Sequence, residues 1–251
     1  MNPWLRRFAF VGTALAVGLI ADTAMAQSLT LDLGGGGQET ATARIIQILL
    51  LVTVLALAPS LLMMVTSFTR VVVVLSFLRS AIGLQQTPPN MVLLSLALFL
   101  TGFIMAPTFQ QAYDQSLRPL SQNEITEEVA LERGVVPFRN FMLKHTREKD
   151  LALFFELGKT KAPTKAEETP LQILIPAFMI SELRRAFEIG FLLFLPFLVI
   201  DMVIASVLMA MGMMMLPPVV ISLPFKIIFF VLVDGWYLIA GSLVKSYGGA
   251  G

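Results

Sequence analysis

MAMGMMMLPP, residues 209–218, stands between two long apolar stretches and decides how they connect. Pro217 and Pro218 cannot continue a helix, because each lacks an N–H and Pro218 pushes Pro217 out of the α region. The preceding helix is therefore expected to end near Leu216, and the chain to return in a second apolar segment. Methionine is unbranched and polarizable, so consecutive Met213, Met214 and Met215 offer an apolar surface that remoulds around changing contacts. On a helix the three side chains would point in three directions. Released from helical geometry they can face one partner, which reads as a deformable collar, one copy per subunit, closing a pore. The competing reading is ordinary methionine packing between membrane helices.

Outward from that loop the chain stays apolar. Of 251 residues, 56% are hydrophobic and 14% charged, which excludes an ordinary soluble domain and indicates an integral membrane protein. The expected class is all-α, with four long apolar helical segments forming kinked hairpins and a small helical periplasmic module. No cysteine is present and His145 is the sole histidine, so neither a disulfide nor a multi-histidine metal site is expected. A net charge of +1 argues against nucleic acid as a partner. Residues 110–170 hold 19 of the 35 charged residues, so the polar module lies there.

Residues 1–26 read as a signal peptide: Arg6 and Arg7, an apolar run over 8–20, then Ala24 and Ala26 at the small-residue positions before cleavage at Gln27. An uncleaved anchor is the alternative, although the run is short for a span. Residues 27–44, rich in glycine, are expected as a flexible periplasmic lead-in. A first hairpin follows over 45–109, kinked at Pro59. Its 66–90 stretch carries Arg70 and Arg79 without an acidic residue and is assigned to the cytoplasm. The first helix is expected to run on through 71–78, and the second crossing to end at Pro107 unless Thr108 and Phe109 extend it.

The periplasmic module, 110–170, should contain a helix from Thr126 and an amphipathic one over 138–157 using Phe138, Met142, Leu151, Phe154 and Phe155. A second hairpin with the methionine loop occupies 171–251. Its 171–216 part is about twice a bilayer crossing and cannot be one simple span. Glu182 with Arg185, and Arg184 with Glu188, are spaced for pairing on a helix. Asp201, Lys226 and Asp234 interrupt apolar segments. Buried charges at Asp201 and Asp234 are expected to face protein or water, because an ionisable group in lipid costs about 2.5–3.5 kcal/mol on insertion scales. Such a chain is suited to an oligomer.

No catalytic constellation is present: no H-E-x-x-H, no phosphate-binding glycine loop, no G-x-S-x-G. Neither an enzyme nor a cofactor is expected. His145, in a charged segment, reads as a solvated helix residue. Asp201 and Asp234 could serve as an ion relay or as anchors for backbone exposed at proline breaks.

FEIGFLLFLPFLVIDMVIASVLMAMGMMMLPPVVISLPFKIIFFVLVDGW (187–236), LLMMVTSFTRVVVVLSFLR (61–79) and FMLKHTREKDLALF (141–154) together resemble the FliP family, the P subunits of the flagellar type III export gate, whose injectisome counterpart is SctR. About three quarters of the chain is covered. The signal peptide and Thr146-Arg147-Glu148 lean towards the flagellar members. The resemblance implies a non-enzymatic channel subunit in the bacterial inner membrane at the flagellar basal body. Its implied partners are other P copies in a pentameric arrangement, Q and R subunits, further export-apparatus proteins, unfolded substrates and membrane lipid. It also implies that Met213, Met214 and Met215 form a gasket in the closed pore. Phe141, Phe154, Glu182, Arg185 and Lys226 are matched to assembly or pore positions. The family's hairpins stand largely above the membrane plane, which differs from the hydropathy topology above. The alternative from another class is a small-solute or ion transporter using Asp201, Asp234 and Lys226; no internal repeat supports it.

Overall fold

The computed structural model describes residues 41–84, 86–161, 163, 165–213 and 215–248. The expected signal peptide with its Ala26–Gln27 junction, most of the glycine-rich lead-in, and Met214 lie outside them. Among the described residues every regular element is helical. The chain divides into two compact units at Val52 and Thr53, and the packing below concerns the second.

Helix α1, Ala41–Met64, starts four residues before the expected hairpin boundary, because Ala41 and Ala43 favour helix. It does not run on into the next segment. Phe68–Ile82 is a separate helix, α2. At the break the Thr66 hydroxyl donates to the Met63 carbonyl and accepts from the Phe68 N–H, both at 3.4 Å, competing with the backbone ladder. Val71, Val74, Leu75 and Leu78 form the buried stripe of α2 and pack on the long helix described below.

Helix α3, Asn90–Ala112, follows Pro89 and does not stop at Pro107. Pro107 lies on the exposed side between buried Met105 and Thr108, so packing on one face holds the helix while the lost backbone bond falls on the other. A π turn, Tyr113–Leu117, leads into α4, Arg118–Ser121. The expected single helix over 138–157 is two. Helix α5, Glu127–His145, and α6, Glu148–Leu157, are separated by Thr146 and Arg147 in extended conformation. The Thr146 hydroxyl closes onto the Met142 carbonyl at 2.7 Å.

Helix α7, Leu171–Ala210, is unbroken over 40 residues through Pro176 and Pro196. At 1.5 Å per residue it is about 60 Å long, twice a hydrocarbon core. It is the spine of the unit, contacting α2, α5, α6 and α8. Gly190 is required at its closest approach to α2, since a Cβ there would lie 2.6 Å from the Phe77 ring. Helix α8, Pro218–Leu232, and α9, Gly235–Lys245, replace the single expected last segment and are bent by 63°. The hinge is Asp234 in left-handed conformation (φ 51°, ψ 52°), and Pro224 stays within α8. A second, smaller core of Met142, Leu174 and Phe178 joins α5 to α7.

Among the described residues, three helical stretches are long and apolar enough to cross a membrane, 46–64, 90–121 and 171–210, or four if the bent α8–α9 pair is one span.

Candidate functional site

Helix α7 ends at Ala210, six residues before the expected stop, and glycine ends it rather than proline. Gly212 takes φ +73°, the Met213 N–H donates to the Leu208 carbonyl at 2.9 Å, and the Gly212 N–H donates to the Met209 carbonyl at 3.1 Å. That pair of bonds is a Schellman closure, for which a residue without Cβ is suited. The signal for this end in the sequence is Gly212 itself, five residues before the first proline. Pro217 precedes α8 and Pro218 opens it, where a missing N–H costs nothing. Met213 and Met215 thus lie outside the helices. Met215 is 99% exposed, Met211 65% and Met213 39%, so the loop presents sulfur-bearing side chains that the chain itself leaves uncovered.

A charged clip holds this hairpin. Asp201 on α7 receives Lys226 Nζ at 2.6 Å and the Ser222 hydroxyl, both from one face of α8. Lys226 also donates to the Ala81 carbonyl at 3.4 Å, at the C-terminal end of α2, where the helix dipole favours a cation. Asp201 is therefore a half-buried partner. Asp234, expected as a buried charge, is exposed at the α8–α9 hinge, because the left-handed turn points it outward.

Glu182 does not pair with Arg185. It is fully buried and forms a forked ion pair with Arg70, through Arg70 Nε at 3.0 Å and a second, closer guanidinium contact. Helical spacing shows only near neighbours; this partner lies on α2, 112 residues away. The Tyr247 hydroxyl donates to the same carboxylate, the Arg70 guanidinium lies 3.8 Å from the Tyr247 ring centre, and Arg70 donates to the Ser246 hydroxyl at 3.0 Å. The knot ties α2, α7 and the segment after α9 together. Arg185 is exposed, while Arg184 and Glu188 pair at 2.9 Å on the surface as their spacing suggests.

Phe141 joins an aromatic group over the knot. It stacks on Tyr247 with centroids 5.8 Å apart and meets Phe178 edge-on at 5.9 Å. His145 packs against Phe141 and Tyr247 at 4.8 and 5.0 Å, so it is not the solvated residue expected. Burial, then the positive charges of Arg70, Lys144 and Arg185, lower its pKa to about 4, and the ring is neutral at pH 7. Phe154 is half-buried on α6.

A third polar group joins α6 to α7. Buried Asp150 accepts a forked pair from Arg147 at 2.8 and 2.7 Å and the Ser181 hydroxyl at 2.5 Å; Ser181 in turn accepts the Arg147 N–H at 3.1 Å. Burial alone would raise the Asp150 pKa, but the Ser181 and Arg147 hydrogen bonds and the Arg147 and Arg184 charges outweigh it, so the carboxyl titrates below its usual range. Neither Arg147 nor Asp150 was singled out for a role from the sequence.

Among the described residues no group of three or more histidine, cysteine, aspartate or glutamate side chains could hold a metal. The geometry is that of helices pinned by internal ion pairs, with an apolar loop held outward.

Comparison with known proteins fits that architecture. The chain is 57% identical over 246 residues to the flagellar biosynthetic protein FliP of Caulobacter vibrioides, covering 97% of this chain and 92% of that one. It is 56% identical over 202 residues to that of Bacillus subtilis, covering 80% and 91%, and 52% identical over 238 residues to that of Pectobacterium carotovorum, covering 93% and 92%. The model of the FliP family matches residues 51–243. On its helices, its motifs and these relatives alike, the chain belongs to the FliP family.

Proposed function

We propose that this chain is a subunit of the flagellar type III export gate, which assembles with further copies of itself and with Q and R subunits into the channel for unfolded flagellar proteins. Its work is conduction and sealing, not chemistry. The observation that carries the reading is the loop after α7: Met211, Met213 and fully exposed Met215 project from a hairpin whose base is clamped by Asp201, Ser222 and Lys226. A rigid base with a soft tip suits a gasket, since thioether side chains repack around an entering chain without a fixed shape or a hydrogen-bonding demand. The relatives' name, flagellar biosynthetic protein, agrees with it.

The remaining residues take supporting parts in this reading. Glu182 and Arg70 hold the subunit's own shape, Phe141 seats Tyr247 on them, and Phe154 faces a neighbouring subunit. Residues 110–170 form the periplasmic module, and the inner membrane at the flagellar basal body is the location. The mature chain begins at Gln27 after removal of residues 1–26; intact Met1 in mass spectra of the assembled protein would refute that.

Gentle detergent extraction of the chain expressed with Q and R subunits tests the proposal. The expected product is a ring or open ring containing several copies of the chain and both partners. A monodisperse monomer with neither partner bound would overturn it.

A further inference from the structure

A cavity of about 390 Å³ opens where α2, the end of α5 and α7 meet the segment after α9, and its polar wall is almost entirely basic: Arg70, Lys144, Arg147 and Arg185, with His145 beside them. Glu188 is the one carboxylate in the lining, and it is engaged by Arg184. The charges of Arg70 and Arg147 are matched by Glu182 and Asp150. Lys144 and Arg185 have no ion-pair partner among the described residues, so the cavity holds two cations in excess. The other end of the wall is apolar, formed by Ile189 and Leu192.

From Leu192 the apolar surface continues along one face of α7. Leu192, Leu195, Val199 and Met202 recur at spacings of three and four and all are exposed. They cover about 15 Å along the helix, half the hydrocarbon thickness of a bilayer. Beyond the charged turn at residues 182–188, α7 carries only Asp201 before its end. The cationic cavity thus sits at the head of an apolar track one leaflet deep. This track cannot face water over such an area, and the excess positive charge at its head suits an amphiphile with an anionic headgroup.

We propose that the cavity binds the phosphate of an anionic phospholipid, with Lys144 and Arg185 supplying the uncompensated charge and one acyl chain lying on the face from Leu192 to Met202. Guanidinium and ammonium groups are the natural donors to phosphate oxygens, and basic pockets between membrane helices hold anionic headgroups. The zwitterionic alternative brings its own cation into a site already rich in them, which disfavours it. His145 senses the same field, because Arg70, Lys144 and Arg185 all lower its proton affinity. An anion in the cavity therefore opposes that lowering.

His145 is the only histidine in the sequence, so its ring gives a single resonance in the full chain purified with a tag free of histidine. Its pH titration should be followed in phosphatidylcholine nanodiscs and again with phosphatidylglycerol added. Arg70, Tyr247, Lys144, Arg147, Arg185 and Glu188 surround the ring or line the cavity and are common to both samples. Phosphatidylglycerol should raise the apparent pKa by about one unit or more. Inorganic phosphate at the same concentration should raise it less, having no acyl chain to hold it. The double variant Lys144→Gln, Arg185→Gln should start from a higher pKa and lose most of the lipid response, while Lys149→Gln, an exposed lysine outside the cavity lining, keeps it. Equal responses to phosphate and phosphatidylglycerol would reassign the site to free oxyanions and overturn the lipid. No response in the wild-type chain, or an undiminished one in a double variant of normal helical content, would overturn the site itself.

Discussion

Glu182 shows what a single residue does here and how much of it the chain displays beforehand. Its carboxylate is fully buried with Arg70 and Tyr247, so removing it strands a guanidinium inside the unit. Glu182→Ala should cost about 3–5 kcal/mol and lower both thermal stability and assembled yield. Arg70→Met combined with Glu182→Met should cost clearly less than the two single changes added, because each alone leaves an unpaired charge. Simple additivity in thermal unfolding would show that the two do not act as a pair. His145 supplies a pH test. Its folded pKa near 4 lies below the ordinary 6.5, so between those values the unfolded chain binds the extra proton. That contribution to stability is complete above pH 6.5 and is lost as pH falls towards 4; Asp150, shifted downward, contributes in full above its usual value near 3.8 and loses that contribution only as pH falls below it. His145→Phe should flatten the melting-temperature profile between pH 6.5 and 4.5, and an unchanged profile would contradict the burial argument. The sequence marks Glu182 as unusual, a charge in an apolar run. It could not name Arg70 or Tyr247, because local spacing reports only neighbours on the same helix.

At the scale of helices, composition and apolar runs reveal the class and the number of long segments, and Thr126 correctly precedes α5. The breaks were the weak point. Pro107, Pro137, Pro176, Pro196 and Pro224 all lie inside helices, while Gly83, Gly212 and Asp234 sit in left-handed conformation where helices end or bend. Proline removes one backbone donor, which packing on a single face can outweigh; a left-handed residue redirects the chain itself. The same rule gives a prediction. Gly212→Ala should destabilise by about 1–2 kcal/mol, the ordinary penalty for an L residue in that conformation. Gly190→Ala meets the Phe77 ring and should cost about 1–3 kcal/mol through overpacking. Pro107→Ala, on an exposed helix face, should be neutral or stabilising. Thermal unfolding of the three purified variants checks the order, and a Pro107→Ala loss exceeding that of Gly190→Ala would reverse it.

For the molecule as a whole, the exposed apolar surface is more informative than the core. Phe99, Phe103, Phe191, Leu192, Val231 and Leu232 are all more than 60% exposed, beyond what a water-facing monomer sustains. The methionine loop is the part of that surface least tied to the fold: its helix has already ended at Ala210, and its clamp at Asp201 and Lys226 lies well inside the hairpin. A pore wide enough for an unfolded chain leaks ions unless an apolar constriction excludes water when empty. Replacing Met213, Met214 and Met215 together by glycine should therefore leave assembly near normal and open the closed gate. If these methionines were instead packed core, such changes would cost about 2–5 kcal/mol each and assembly would fail. The decisive measurement is the ion conductance of membranes carrying the substituted complex, read beside its yield: raised conductance at normal yield is the predicted result, and normal yield with no added conductance would contradict the gasket.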